Sequence, residues 1–159
     1  MGNFISLPIL FIAAVLQATF VPQVRLLGGG PDLVFLIILS WSINARLEQS
    51  IVWTFVGGIM IDLLSAAPTG ASVLGMLLVI FAISGIGQQV YNIGILLLVG
   101  AVVIGTIIKQ AVLFFILTLA GFEIDWMVAA AYIVAPTIVY NLALIWPIYW
   151  FMRRIQRRV

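Results

Sequence analysis

The sequence contains no cysteine and no histidine. Their absence removes disulfides, thiolate nucleophiles, Cys/His zinc sites, histidine-ligated haem and imidazole acid–base chemistry. Charge is almost as scarce. Seven Lys and Arg with five Asp and Glu make up 8% of 159 residues, so no stretch is polar enough to fold in water as a separate domain. The carboxylates Asp32, Glu48, Asp62, Glu123 and Asp125 are scattered, and a catalytic pair or a carboxylate metal cage would have to be assembled entirely by folding. An enzyme is therefore not expected, and nothing in the composition asks for a cofactor or a metal. The net charge of +2 comes from arginines at the end of the chain, so it reports membrane orientation and not nucleic-acid binding.

What is present is apolar. Hydrophobic residues make up 65% of the chain and the mean hydropathy is +1.31, which fits an all-α integral membrane protein and no ordinary soluble domain. Because a spanning helix needs about 20 residues, five or six spans fit the length. Charges, prolines and polar turns divide the chain into a single polytopic domain, 1–159, with expected spans at 4–22, 32–45, 50–65, 71–87, 94–118 and 127–150. Ser6 and Pro8 are expected to open the first helix, and Pro22 with the Gly28, Gly29, Gly30 run to close it. No basic segment and no small-residue cleavage site precede that apolar run, so it reads as a retained span.

The second and third spans are expected to be short. Arg46 and Glu48 fall between them and leave about 15 residues each, roughly 22 Å of helix against a hydrocarbon core near 30 Å. A tight turn over 44–48 would join them. A second turn is expected at Gln88, Gln89 and Asn92, an acidic one at Glu123 and Asp125, and a kink at Pro136. Trp146, Tyr149 and Trp150 read as an interfacial aromatic belt, followed by the topology anchor Arg153, Arg154, Arg157 and Arg158. With six spans, that anchor shares a side with Arg46, and the positive-inside bias makes both termini cytoplasmic. A five-span arrangement would leave the tail in place and move only the N-terminus. Contact of the tail with anionic membrane lipids is expected as well.

Four polar groups fall inside apolar runs: Gln17, Asp62, Lys109 and Asn141. An ionised side chain at bilayer depth costs on the order of 3 kcal/mol, so Asp62 and Lys109 require partners. Two readings are open. Either they meet in a functional polar centre, or Asp62 caps nearby backbone at the interface while Lys109 extends to water. Gln17 and Asn141 are expected to face the bundle interior. Gly57 and Gly58 precede Asp62 by one helical turn, with Thr54 on the same face, and small residues permit close helix approach in lipid. That face could receive a partner helix or pack against the first or sixth span. Asp32, after Pro31, reads as a first-turn carboxylate favoured by the helix dipole.

Two segments resemble a known family. Pro31-Asp32-Leu33 opens a span, and after it comes Gly57-Gly58-Ile59-Met60-Ile61-Asp62-Leu63-Leu64-Ser65-Ala66-Ala67-Pro68-Thr69-Gly70. Together they resemble the rod shape-determining MreD family, with its PDL entry and G-x-x-x-D-L-L-S-G-x-P-x-G stretch. Length, span count and basic tail also fit, and Ala66 departs from the family's usual glycine. The resemblance implies a six-helix bundle similar to the S components of energy-coupling-factor transporters. It also implies a non-enzymatic inner-membrane scaffold of the bacterial cell-elongation complex, active in peptidoglycan synthesis. The implied partners are a bitopic MreC-type protein, a RodA-type glycosyltransferase with its penicillin-binding transpeptidase, and an MreB-type cytoskeleton. Carried onto this chain, the motif nominates Pro31, Asp32, Asp62, Leu63, Leu64, Ser65, Pro68 and Gly70, with Gly57 and Gly58, for the outer hairpin or a partner-docking groove. The rival from another class is a vitamin-binding module of such a transporter, with Gln17, Asn92, Lys109 and Asn141 as its polar contacts.

Overall fold

The structure, a computed structural model, describes residues 2–87 and 94–157, with side chains from 7 to 85 and from 94 to 157. The expected turn at Gln88, Gln89 and Asn92, and Arg158 of the tail, lie outside these residues. Among the described residues the protein is all helical. The elements are α1 Gly2–Thr19, α2 Val21–Val24, α3 Leu33–Ser42, α4 Leu47–Leu64, α5 Ala71–Gly87, α6 Ile95–Leu119, α7 Trp126–Ala129 and α8 Ala135–Gln156. A π-helical turn, Ala130–Val134, joins the last two.

Three of these stretches are long and apolar enough to cross a membrane: Leu47–Leu64, Ile95–Leu119 and Trp126–Gln156. This corrects the expectation of a short third span. Leu47 and Glu48 are not part of the turn; Arg46 is the N-cap and Glu48 lies in the first turn of an 18-residue helix, where its charge complements the helix dipole. The first helix also begins earlier than expected, at Gly2, and carries Pro8 inside it. A proline there removes only one backbone hydrogen bond, close to a terminus where helices fray.

The second helix is short, and its environment accounts for that. α3 has ten residues, and Val34, Phe35, Leu36, Ile38, Leu39, Ser40 and Trp41 are all buried. A helix that is apolar on every side belongs inside. α1, α4, α5 and α8 pack around it. Enclosed by protein, it is free of the length that lipid contact would impose. Around it the core is built from Leu10 and Ala14 of α1, Trp53 of α4, Met76 and Ile80 of α5, Val102 of α6 and Ile145 of α8. The outer faces are the reverse of a soluble surface, with Phe11, Phe55, Leu78, Leu96, Phe115 and Val139 exposed. Apolar side chains in that number on the outside fit lipid and not water.

Glycines set how closely the helices approach. A Cβ on Gly57 would lie 2.7 Å from Ile38 Cδ1 and 3.3 Å from Leu10 Cδ2, and one on Gly58 would lie 2.9 Å from the Val73 Cα. The small-residue face of α4 is therefore used inside the chain, against α1, α3 and α5. Of the two uses expected for Gly57 and Gly58, the structure shows the packing one, since both are buried, against the first span and also against α3 and α5.

Pro136 falls where a kink was expected, and the π turn precedes it directly. The Ala135 N–H bonds to the Ala130 carbonyl, five residues back, which widens the helix just before a residue with no N–H to donate. Gly29 packs against this turn. Its Cβ position lies 2.5 Å from the Ile133 carbonyl, so only glycine fits. At the far end of α8, Gln156 Nε2 donates to the Trp41 carbonyl at 2.8 Å and Asn44 Nδ2 to the Tyr149 hydroxyl at 3.5 Å. The α3–α4 turn with Arg46 and the arginine tail therefore share one end of the bundle, and Arg25 lies at the other.

Candidate functional site: a buried ion pair beneath a cleft

Asp32 is the centre of the polar interior. It is the N-cap of α3, one position earlier than a first-turn residue, and its Oδ1 accepts from the Phe35 N–H at 3.3 Å. Pro31 before it has no N–H to leave unpaired, which suits the start of a buried helix. Gln17 of α1 makes two bonds here: its Nε2 donates to Asp32 Oδ1 at 3.0 Å and its Oε1 accepts from the Val34 N–H at 2.9 Å. The Asp32 N–H donates to Asn141 Oδ1 of α8 at 3.0 Å, and Asn141 Nδ2 donates to Thr106 Oγ1 of α6 at 3.0 Å. The remaining carboxylate oxygen, Oδ2, accepts from Lys109 Nζ of α6 in a buried salt bridge.

Lys109 therefore pairs with Asp32 and not with Asp62. It also does not extend to water, for only 7% of the residue is exposed and the ammonium lies 5.7 Å from the centre of the Phe35 ring. Two glycines bring α6 close enough for this. A Cβ on Gly105 would sit 2.8 Å from Phe35 Cζ, and one on Gly75 of α5 would sit 3.2 Å from the Lys109 carbonyl. Taking a charge pair out of water is unfavourable unless hydrogen bonds satisfy the remaining lone pairs. Gln17 and the start of α3 provide those bonds to the carboxylate.

Asp62 has a different task. It lies near the end of α4, and its Oδ2 accepts from the Gly70 N–H at 2.7 Å while Oδ1 accepts from the Ser72 N–H at 3.1 Å. One helix thus caps the N-terminus of the next, with a carboxylate placed at the positive end of its dipole. Gly70 has a φ of +99°, a conformation that favours glycine. Ser65 Oγ accepts from the Ala67 N–H at 3.3 Å, and the Pro68 carbonyl accepts from the Ala71 N–H at 3.1 Å. The motif's polar residues are occupied in holding the α4–α5 hairpin. Leu63 and Leu64 are exposed.

A cleft of about 420 Å³ opens above the ion pair, at the end of the bundle that carries Arg25. Arg25, Lys109, Gln110, Ser65, Leu113 and Phe114 are among the residues that line it. The model of the rod shape-determining protein MreD family matches residues 1–159. The chain belongs to the MreD family. No curated protein and no solved structure matches it. Membership places this MreD-family protein among bacterial membrane proteins with a role in rod shape determination.

In this chain the Pro31-Asp32-Leu33 entry and the stretch from Asp62 to Gly70 are two N-caps, one within its own helix and one across a hairpin. Sequence reasoning singled out Gln17, Lys109 and Asn141 but did not join them to Asp32, because the four lie on four different helices. It missed Thr106, and it ranked Gly75 and Gly105 as weaker close-approach positions because each lies five residues, not four, after another glycine. Thr106 lies three residues before Lys109, on the same face of one helix, and that spacing was the available signal. The stacked pair Trp41 and Trp53, with ring centres 4.2 Å apart, was missed as well.

Proposed function

We propose that this protein is a membrane scaffold of the cell-elongation complex and pairs with an MreC-type bitopic protein, alongside the cell-wall synthases and the MreB-type cytoskeleton. The observation that carries the reading is the family match over the whole chain, residues 1–159. Two features of the bundle support it. Both carboxylate oxygens of Asp32 and of Asp62 are engaged by bonds within the chain, a structural use of polar groups, and the broad outer surface is apolar. Six crossings, in the manner of the energy-coupling-factor S components, suit α1, α3, α4, α5, α6 and the continuous α7–α8 stretch, with α3 enclosed by protein. The positive-inside bias then sets the Arg46 turn and the arginine tail in the cytoplasm of a bacterial inner-membrane protein.

Within the family motif, the large apolar side chains open to a partner are Leu63 and Leu64, with 72% and 52% of their surfaces exposed. A transmembrane helix packing there would bury apolar area without touching the capped hairpin. The test is co-purification of an MreC-type partner with the Leu63→Ala, Leu64→Ala double variant. Loss of the partner, with the variant still folded, supports this docking edge. Failure of wild type to retain any such partner would refute the scaffold reading.

A further inference from the structure

We propose that the cleft above the Asp32–Lys109 pair is a binding site for the phosphate group of an anionic amphiphile. The groups facing the cleft divide by whether their hydrogen bonds are already made. Asp32 Oδ1 accepts from Gln17 and Phe35, and Oδ2 accepts from Lys109. Asp62, just behind the wall, has both oxygens taken by the Gly70 and Ser72 amides. The acidic groups therefore do not ask for a cation.

The basic groups are the opposite case. An ammonium carries three donors, and Lys109 uses one, on Asp32, among the described residues. Arg25 lines the same cleft, is exposed, and makes no side-chain hydrogen bond or ion pair among the described residues. Gln110 adds an amide with no partner among them. A buried ammonium with unused donors at the floor and a free guanidinium at the mouth together ask for oxygen-rich anionic chemistry. Phosphate suits this best, as its oxygens can accept from several donors at once.

The walls say what the phosphate is attached to. Val21, Ile61, Leu113, Phe114 and Ile133 line the same cleft, and Leu119, Phe122 and Trp126 are exposed near the same end. A volume of about 420 Å³ falls in the range of small-ligand sites, about 300–1,000 Å³. The mouth lies at the helix ends, where headgroups lie, and an apolar tail would continue along lipid-facing helix. The site is independent of the scaffold reading, since it requires no partner protein.

The test uses the full chain in dodecylmaltoside micelles, titrated with dioleoylphosphatidylglycerol, with dioleoylglycerol or with inorganic phosphate and read by native mass spectrometry. The phospholipid is expected to bind about tenfold more tightly than the diacylglycerol, the worth of one charge-assisted bond. Arg25→Gln should weaken it by a similar factor, and Ala66→Trp, which narrows the cleft without touching charge, should abolish it. Because Arg25 and Ala66 are exposed, neither variant disturbs the core. Displacement of the phospholipid by millimolar inorganic phosphate would show that the apolar walls add nothing to binding, and would overturn the amphiphile in favour of a free phosphate ion. Equal binding of phospholipid and diacylglycerol, or phospholipid binding unchanged in Arg25→Gln, would overturn the proposal.

Discussion

Replacing Lys109 by Met leaves the Asp32 carboxylate buried without its counter-ion. Asp32 is 6% exposed and bonded to Phe35, Gln17 and Asn141, so little water can take the place of the ammonium except from the cleft side. Removing one member of a buried ion pair costs roughly 3–5 kcal/mol. At about 2–4 °C per kcal/mol for a chain of this size, Lys109→Met should unfold roughly 6–20 °C below wild type. Asp32→Asn should cost a similar amount, because it strands the ammonium instead. The double variant should not add these losses. An asparagine at position 32 still offers an oxygen to the Phe35 and Gln17 donors, a methionine at position 109 fills the lysine's volume, and no charge is left buried. We expect the double variant to lose about 1–3 kcal/mol, the cost of imperfect hydrogen bonding. The assay is a double-mutant cycle by thermal unfolding in micelles, followed by tryptophan fluorescence and circular dichroism. A coupling smaller than about 0.5 kcal/mol, the scatter of independent sites, would refute the pairing. Charge reversal offers a second check. Asp32→Lys with Lys109→Asp should fail to rescue, because position 32 must also accept hydrogen bonds at a helix N-terminus and a lysine has no acceptor.

Further outcomes follow from the α4–α5 hairpin and its glycines. Asp62→Ala removes two bonds to the start of α5 and should cost about 2–4 kcal/mol, with faster hydrogen exchange at the Gly70 and Ser72 amides as the direct readout; unchanged exchange would disprove the cap. Gly58→Ala should lose about 1–3 kcal/mol against the Val73 backbone, while Gly85→Ala, where a Cβ meets nothing within 4 Å, should be neutral or stabilising by up to about 1 kcal/mol. Equal melting temperatures for the two would show that α4 and α5 do not approach as described. Gly70→Ala should destabilise by about 1–3 kcal/mol although the space beside it is open, because its φ of +99° suits glycine alone; a neutral result would mean that the loop holds another conformation.

The sequence by itself determined the class of the protein and most of its helices. Apolar runs too long for soluble helices, with most charges at their ends, leave the bilayer as the one suitable solvent, and prolines and glycines mark where those runs must break. It also determined which residues needed an explanation, since an ionised group in an apolar run cannot stay unpaired. Periodicity did not determine who pairs with whom. Gln17, Asp32, Lys109 and Asn141 stand on α1, at the head of α3, on α6 and on α8, and their meeting depends on the order in which helices pack. Nor did it separate α3, enclosed by protein, from α4, which is long enough to cross lipid, because both carry apolar runs and a buried environment looks the same as a lipid one in composition. The glycines show the same division. Gly57, Gly58, Gly75 and Gly105 read as small residues that allow close approach, but which helix approaches, and so whether a partner protein could do so, was decided only by the tertiary structure.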